Sequence, residues 1–126
     1  MARIFVVNDE ADLLDLVGMV LEAAGHEVVT RTISSDVVRE VEERRPDLVL
    51  IDLIMPGMTG DQVIAELRAR PLDVRILAMS ALVDGRARAM RAGADAFLPK
   101  PFDADAVVRY VDDTLKRKPR ERSARA

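Results

Sequence analysis

Five short apolar runs alternate along the chain with five segments of helical periodicity. The first run, Ile4-Phe5-Val6-Val7, is rich in residues that suit a pleated strand. It meets Asn8 and Asp9, both good helix caps. Beyond them Leu13, Leu14, Leu16, Val17, Val20 and Leu21 recur at the spacing of one helix face, and Gly25 predicts that helix's end. Glu27 to Thr30 predicts a short second strand. Ser34-Ser35 predicts the cap of a second helix bearing Val37, Val38 and Val41, which must stop before Pro46. Leu48-Val49-Leu50-Ile51 is uninterrupted and apolar, the pattern of a strand covered on both faces. Met55 to Gly60 reads as a loop, broken by Pro56, Gly57 and Gly60. A third helix is predicted over Asp61 to Arg70 and a fourth strand over Val74 to Met79. A fourth helix over Gly85 to Ala92 closes at Gly93. Ala96-Phe97-Leu98 forms a short fifth strand, and Asp103 caps a last helix reaching Lys116.

This alternation predicts an α/β fold, (βα)₅, with a doubly wound parallel sheet, helices on both faces and right-handed crossovers. The 126 residues suffice for one core, assigned to residues 1–117, and not for two. Residues 118–126 are polar and basic, contain Pro119, and are expected to be disordered. No apolar run approaches the length of a membrane span, and the N-terminus has no signal-peptide pattern, so a cytoplasmic protein without a membrane partner is expected. The absence of cysteine excludes disulfides, thiolate metal sites and cysteine nucleophiles.

The net charge of −3 hides an asymmetry. From Lys116 to Ala126 six basic residues stand against one acid, a net of +5, so residues 1–115 carry −8. An acidic body argues against nucleic-acid binding, which needs a basic face. It suits a protein that gathers carboxylates around a cation.

In a doubly wound sheet, ligands bind beyond the carboxyl ends of the strands, where the strand order reverses. For the order 2-1-3-4-5 that point lies between the first and third strands. The first strand ends in Asn8-Asp9-Glu10, the third in Asp52, the fourth in Ser80 and the fifth in Pro99-Lys100-Pro101. Carboxylates, a hydroxyl and an ammonium therefore converge on one edge if the fold is right. Clustered carboxylates repel, and a divalent cation relieves the repulsion. Hard oxygen donors select Mg²⁺, with Mn²⁺ as a substitute, and Mg²⁺ also takes phosphate oxygens. A carboxylate in such a site can attack a phosphoryl donor. Lys100 can pair with the acceptor or the phosphoryl group, and Ser80 can donate a hydrogen bond to it.

Together these residues resemble the bacterial response-regulator receiver family, over residues 3–116. The motifs are Val7-Asn8-Asp9-Glu10, Asp52-Leu53-Ile54-Met55-Pro56-Gly57-Met58-Thr59-Gly60, Met79-Ser80-Ala81, Gly93-Ala94-Asp95-Ala96-Phe97 and Lys100-Pro101-Phe102. The resemblance implies a flavodoxin-like receiver fold of order 2-1-3-4-5. It implies Asp52 as phosphoryl acceptor, and Asp9, Asp52 and the backbone carbonyl of Ile54 as Mg²⁺ ligands. Ser80 and Phe97 would form the switch pair, and Lys100 would be the site lysine, followed by a cis Lys100-Pro101 bond. Its implied partners are a sensor histidine kinase or phosphotransfer protein and an unidentified downstream protein. It would be a stand-alone, self-phosphorylating signalling module and not a metabolic enzyme, a monomer or weak dimer.

One position departs from the pattern. Asn8 stands where the family usually has an acid, so its metal role would run through a bound water and Mg²⁺ binding would be weaker. That departure motivates an alternative, a pseudo-receiver that binds partners without phosphorylation. A flavodoxin-like cofactor protein is a third reading, opposed by the Asn-Asp-Glu run where a phosphate loop would stand. Ile54 and Leu82 are apolar and would shield the site from water. His26, the single histidine, reads as a surface residue; Met55, Met58, Met79 and Met90 read as packing.

Overall fold

The computed structural model describes residues 2–32 and 36–118. The chain runs β1 (Arg3–Val7), α1 (Ala11–Ala23), β2 (Glu27–Arg31), α2 (Val37–Arg44), β3 (Leu48–Asp52), α3 (Gly60–Arg68), β4 (Arg75–Ser80), α4 (Gly85–Ala92), β5 (Ala96–Pro99) and α5 (Ala104–Leu115). The five strands are parallel in the order β2-β1-β3-β4-β5, as expected. The Ser34-Ser35 cap and the tail beyond Lys118 lie outside the described residues.

The two-residue alternation of a strand sorts the core into two layers. Phe5, Val7, Val49, Ile51, Ile76 and Ala78 face one way, against Val37 and Val41 of α2, Val63, Ile64 and Leu67 of α3 and Ala89 of α4. Ile4, Val6, Leu48, Leu50, Leu77 and Met79 face the other way, against Leu14, Val17 and Leu21 of α1 and Val107 and Val111 of α5. Every residue of β3 is buried, which explains its unbroken apolar run. Each such aliphatic side chain contributes about 1.5–3 kcal/mol by leaving water.

Most element ends fall within one or two residues of the sequence expectation. Two differences bear on the site. Asn8 does not cap α1. Its backbone N–H instead continues the ladder to the carbonyl of Arg31 in β2, and Glu10 occupies the N-cap position. The third helix starts at Gly60 and ends at Arg68, not at Arg70. A Cβ on Gly60 would lie 2.1 Å from the Asp52 carbonyl oxygen and 2.7 Å from Leu53 Cα, so only glycine lets α3 begin against the end of β3. The Gly60 N–H donates to the Leu53 carbonyl at 2.9 Å and closes the intervening loop.

Other expectations hold. Asp103 caps α5 through a hydrogen bond from the Ala106 N–H. Pro99 lies in the edge strand β5, where a missing N–H is tolerated. Met55 and Met79 are buried in the core, and Met58 and Met90 pack against it. His26 departs from its surface reading. Its side chain is largely covered, with Nδ1 accepting from the Ala2 N–H at 3.2 Å and Nε2 3.4 Å from Asp112 Oδ1 on α5.

Candidate functional site

The carboxyl ends of β1, β3, β4 and β5 bring Asn8, Asp52, Ser80 and Lys100 to one pole of the sheet. Asp52 is the last residue of β3 and only 3% exposed. A carboxylate so buried needs donors, and three groups supply them. Lys100 Nζ lies 2.5 Å from Asp52 Oδ2, Asn8 Nδ2 donates to the same oxygen at 3.2 Å, and the Ile54 N–H donates to Oδ1 at 2.9 Å. Lys100 also lies 3.6 Å from Glu10 Oε1, so its ammonium stands between two carboxylates. Lys100 follows β5 directly and opens the cis Lys100-Pro101 bond expected from the resemblance.

The orientation of the Asn8 amide is set by its neighbours. Asn8 Oδ1 accepts from the Glu10 N–H at 2.8 Å, a bond that only the oxygen can make. The NH₂ group must therefore face Asp52. The amide therefore donates to the Asp52 carboxylate, a contact that the sequence does not predict.

Asp9 is exposed at the end of β1. Ile54 is 49% exposed in the loop beyond Asp52, so its side chain is only a partial shield. Among the described residues no group of three or more His, Cys, Asp or Glu side chains is arranged to hold a metal ion. The donor set that the family resemblance implies is oxygen-only: the carboxylates of Asp9 and Asp52 and the carbonyl of Ile54. That chemistry fits Mg²⁺, which takes one or two protein carboxylates and keeps most of its water.

Ser80, the last residue of β4, is 2% exposed, and its Oγ accepts from the Leu82 N–H at 2.9 Å. Phe97 is buried on β5 beside it, at 5% exposure. On the far side of α4, Arg88 pairs with both Asp61 oxygens at 3.1 Å, tying α4 to α3. Burial raises the affinity of Asp61 for its proton. Hydrogen bonds from Thr59 and Arg88, with the Arg88 charge, outweigh that and hold its carboxyl below the usual range.

The motif reading missed one cluster. Arg68 at the end of α3 and Asp95 before β5 form an ion pair at 2.5 Å, with side chains 2% and 1% exposed. Arg68 also donates to the carbonyls of Gly93 and Val74, both at 2.7 Å, and Asp95 accepts from the Ile76 N–H at 2.7 Å. Asp95 belongs to a quoted motif, and Arg68 stands four residues after Ile64 and next to Leu67 on the buried face of α3, but its charge makes it read as a solvated helix end.

The model of the response regulator receiver domain family matches residues 4–112. The chain is 36% identical over 118 residues to the transcriptional regulatory protein PrrA of Mycobacterium tuberculosis, covering 92% of this chain and 51% of PrrA. It is 33% identical over 119 residues to the phosphate regulon transcriptional regulatory protein PhoB of Escherichia coli, covering 91% of this chain and 52% of PhoB. Among solved structures, the chemotaxis response regulator CheY4 of Vibrio cholerae superposes with a TM-score of 0.85 at 24% identity, covering 90% of this chain and 98% of CheY4, a likeness of fold. The chain thus spans about half the length of the curated relatives it matches. Their names lend no support to the expectation that nucleic acid is not a partner, nor to a stand-alone arrangement. The family match, the strand order and the strand-end residues agree: this chain belongs to the response-regulator receiver domain family.

Proposed function

We propose that Asp52 accepts a phosphoryl group from the phosphohistidine of a sensor kinase or phosphotransfer protein, and that the modified domain switches its binding to a downstream protein. The observation that carries this reading is the buried Asp52 carboxylate held by Lys100, Asn8 and the Ile54 N–H at the pole shared with Ser80. In the transfer an Asp52 oxygen attacks phosphorus, an O–P bond forms, the donor N–P bond breaks, and the imidazole leaves with the electron pair. Lys100 is placed to follow the charge from the carboxylate to a phosphoryl oxygen. Ser80 Oγ accepts from the Leu82 N–H and still has its own O–H, which on a move toward Asp52 would donate to another phosphoryl oxygen. Asp9, Asp52 and the Ile54 carbonyl would hold Mg²⁺, which when bound neutralises charge on the transferring oxygens. The domain promotes only its own modification, as a signalling module and not a metabolic enzyme. No helix among the described residues is long and apolar enough to cross a membrane, and a cytoplasmic setting fits this reading.

Mass spectrometry after incubation with acetyl phosphate and Mg²⁺ tests the proposal. One phosphoryl adduct is expected, absent from Asp52→Asn. No adduct, or one that persists in Asp52→Asn, would leave the pseudo-receiver reading, which the Asn8 amide bond to Asp52 favours. The same bond yields a second expectation. Asn8→Asp should tighten Mg²⁺ about tenfold, since an outer-sphere partner typically changes metal affinity by that order. Without metal it should destabilise the fold, because two carboxylates would meet where an amide now donates. Titration by NMR and metal-free thermal melting check the two halves, and an unchanged affinity would make Asn8 neutral toward the metal.

A further inference from the structure

Ser80 and Phe97 both lean on the first turn of α4. A Cβ added to Gly85 would come within 3.0 Å of Phe97 Cζ and 3.1 Å of Ser80 Cβ, so α4 begins in direct contact with both side chains. The next residue, Arg86, is exposed and lays its guanidinium across the Phe97 ring, 5.4 Å from the centroid. Arg86 has no carboxylate partner among the described residues, so its charge is directed to the ring. Beside the ring, a cleft of about 400 Å³ between α4 and α5 is lined by Arg86, Met90, Phe97, Arg109 and Tyr110. It has room for an aromatic side chain. A Phe97 ring turned outward would enter this cleft, which Asp113 and Arg117 also line, and Arg86 stands at its edge.

We propose that Arg86 is a latch that holds Phe97 turned inward, and that through this latch the first turn of α4 controls how readily Ser80 engages a phosphoryl group on Asp52. The proposal rests on the phosphorylation reading for its consequence, but not for the latch itself. A cation over an aromatic face is attracted by the ring quadrupole, and the attraction persists at a site such as this one where the cation is exposed. When Ser80 leaves the Leu82 N–H and moves toward Asp52, the space behind it is bounded by Gly85 and Phe97. An inward ring fills that space, so holding the ring inward favours the engaged position of Ser80. Losing the cation releases the ring to the α4–α5 cleft and removes that support. Arg86 acts through Phe97 and touches neither phosphorus nor metal; it is a positioning residue.

The test uses the full chain with fluorinated phenylalanine at its three Phe positions. The Phe97 fluorine signal is assigned by its loss in Phe97→Leu. In the metal-free protein, Arg86→Ala should split or broaden the Phe97 signal, and Arg86→Gln, which keeps a planar polar end group but removes the charge, should do the same. Arg86→Lys should retain much of the original signal, because an ammonium also binds a ring face. Affinity for trifluoroberyllate with Mg²⁺ should fall about fivefold in Arg86→Ala and Arg86→Gln. An unchanged Phe97 signal in Arg86→Ala overturns the latch. A weaker affinity with an unchanged signal overturns it too, because the arginine would then act by long-range charge alone. If the unaltered protein takes no trifluoroberyllate, the phosphorylation reading fails, while the fluorine signals still decide whether Arg86 holds the ring.

Discussion

Arg68→Met is expected to lower the unfolding free energy by about 3–5 kcal/mol, the usual cost of leaving one partner of a buried ion pair behind. Urea unfolding followed by circular dichroism would show it as a lower midpoint with an unchanged slope. The physical reason is the placement of Asp95. Its carboxylate keeps the Ile76 N–H but loses the guanidinium, and the carbonyls of Gly93 and Val74 lose their donors as well. A domain whose whole stability is about 5–15 kcal/mol would lose a large share of it. Adding Asp95→Asn should recover part of the loss, because the amide oxygen can still accept from Ile76 and no charge remains buried. A double variant no more stable than Arg68→Met would mean that the cost lies in lost packing and not in the stranded carboxylate.

Lys100→Met is expected to slow the accumulation of the Asp52 adduct from acetyl phosphate by about a hundredfold, the range for removing one preorganised group that meets developing charge. Adduct formation followed by mass spectrometry at fixed Mg²⁺ gives the rate. Stability should change less. Asp52 would keep the Asn8 amide and the Ile54 N–H, so the loss should be about 1–3 kcal/mol, that of one charged hydrogen-bond partner. The two measurements together separate chemistry from folding. A rate equal to that of the unaltered protein would remove Lys100 from the transfer and leave it as a counter-ion only.

These two residues show different degrees of legibility. Lys100 could be singled out because it follows a strand end and precedes proline, at a place where doubly wound sheets put their chemistry. Arg68 could not. Its spacing puts it on the buried face of α3, but a charged residue at the end of a helix reads as one that reaches water unless its partner is known. The helix boundaries tell a similar story: α3 was expected to run to Arg70 and ends at Arg68, whose side chain turns inward toward Gly93 and Asp95.

The sequence by itself determined the kind and order of the ten elements, the two-faced burial of β3 and the set of polar residues at the strand ends. Those properties follow from local periodicity and from the position of a residue in its element, which short stretches of chain carry. Only the tertiary structure decided which atoms meet. The Asn8 amide turns its NH₂ to Asp52 because its oxygen is held by the Glu10 N–H while its backbone stays paired with β2. Arg86 covers Phe97 because α4 starts at a glycine pressed against the ring. Asp52 opened as a motif residue and ends as a buried carboxylate with three donors, one of them an amide where the family usually places an acid. Such pairings join residues far apart in sequence, and their energies depend on distances of a few tenths of an ångström, which only the packed elements set.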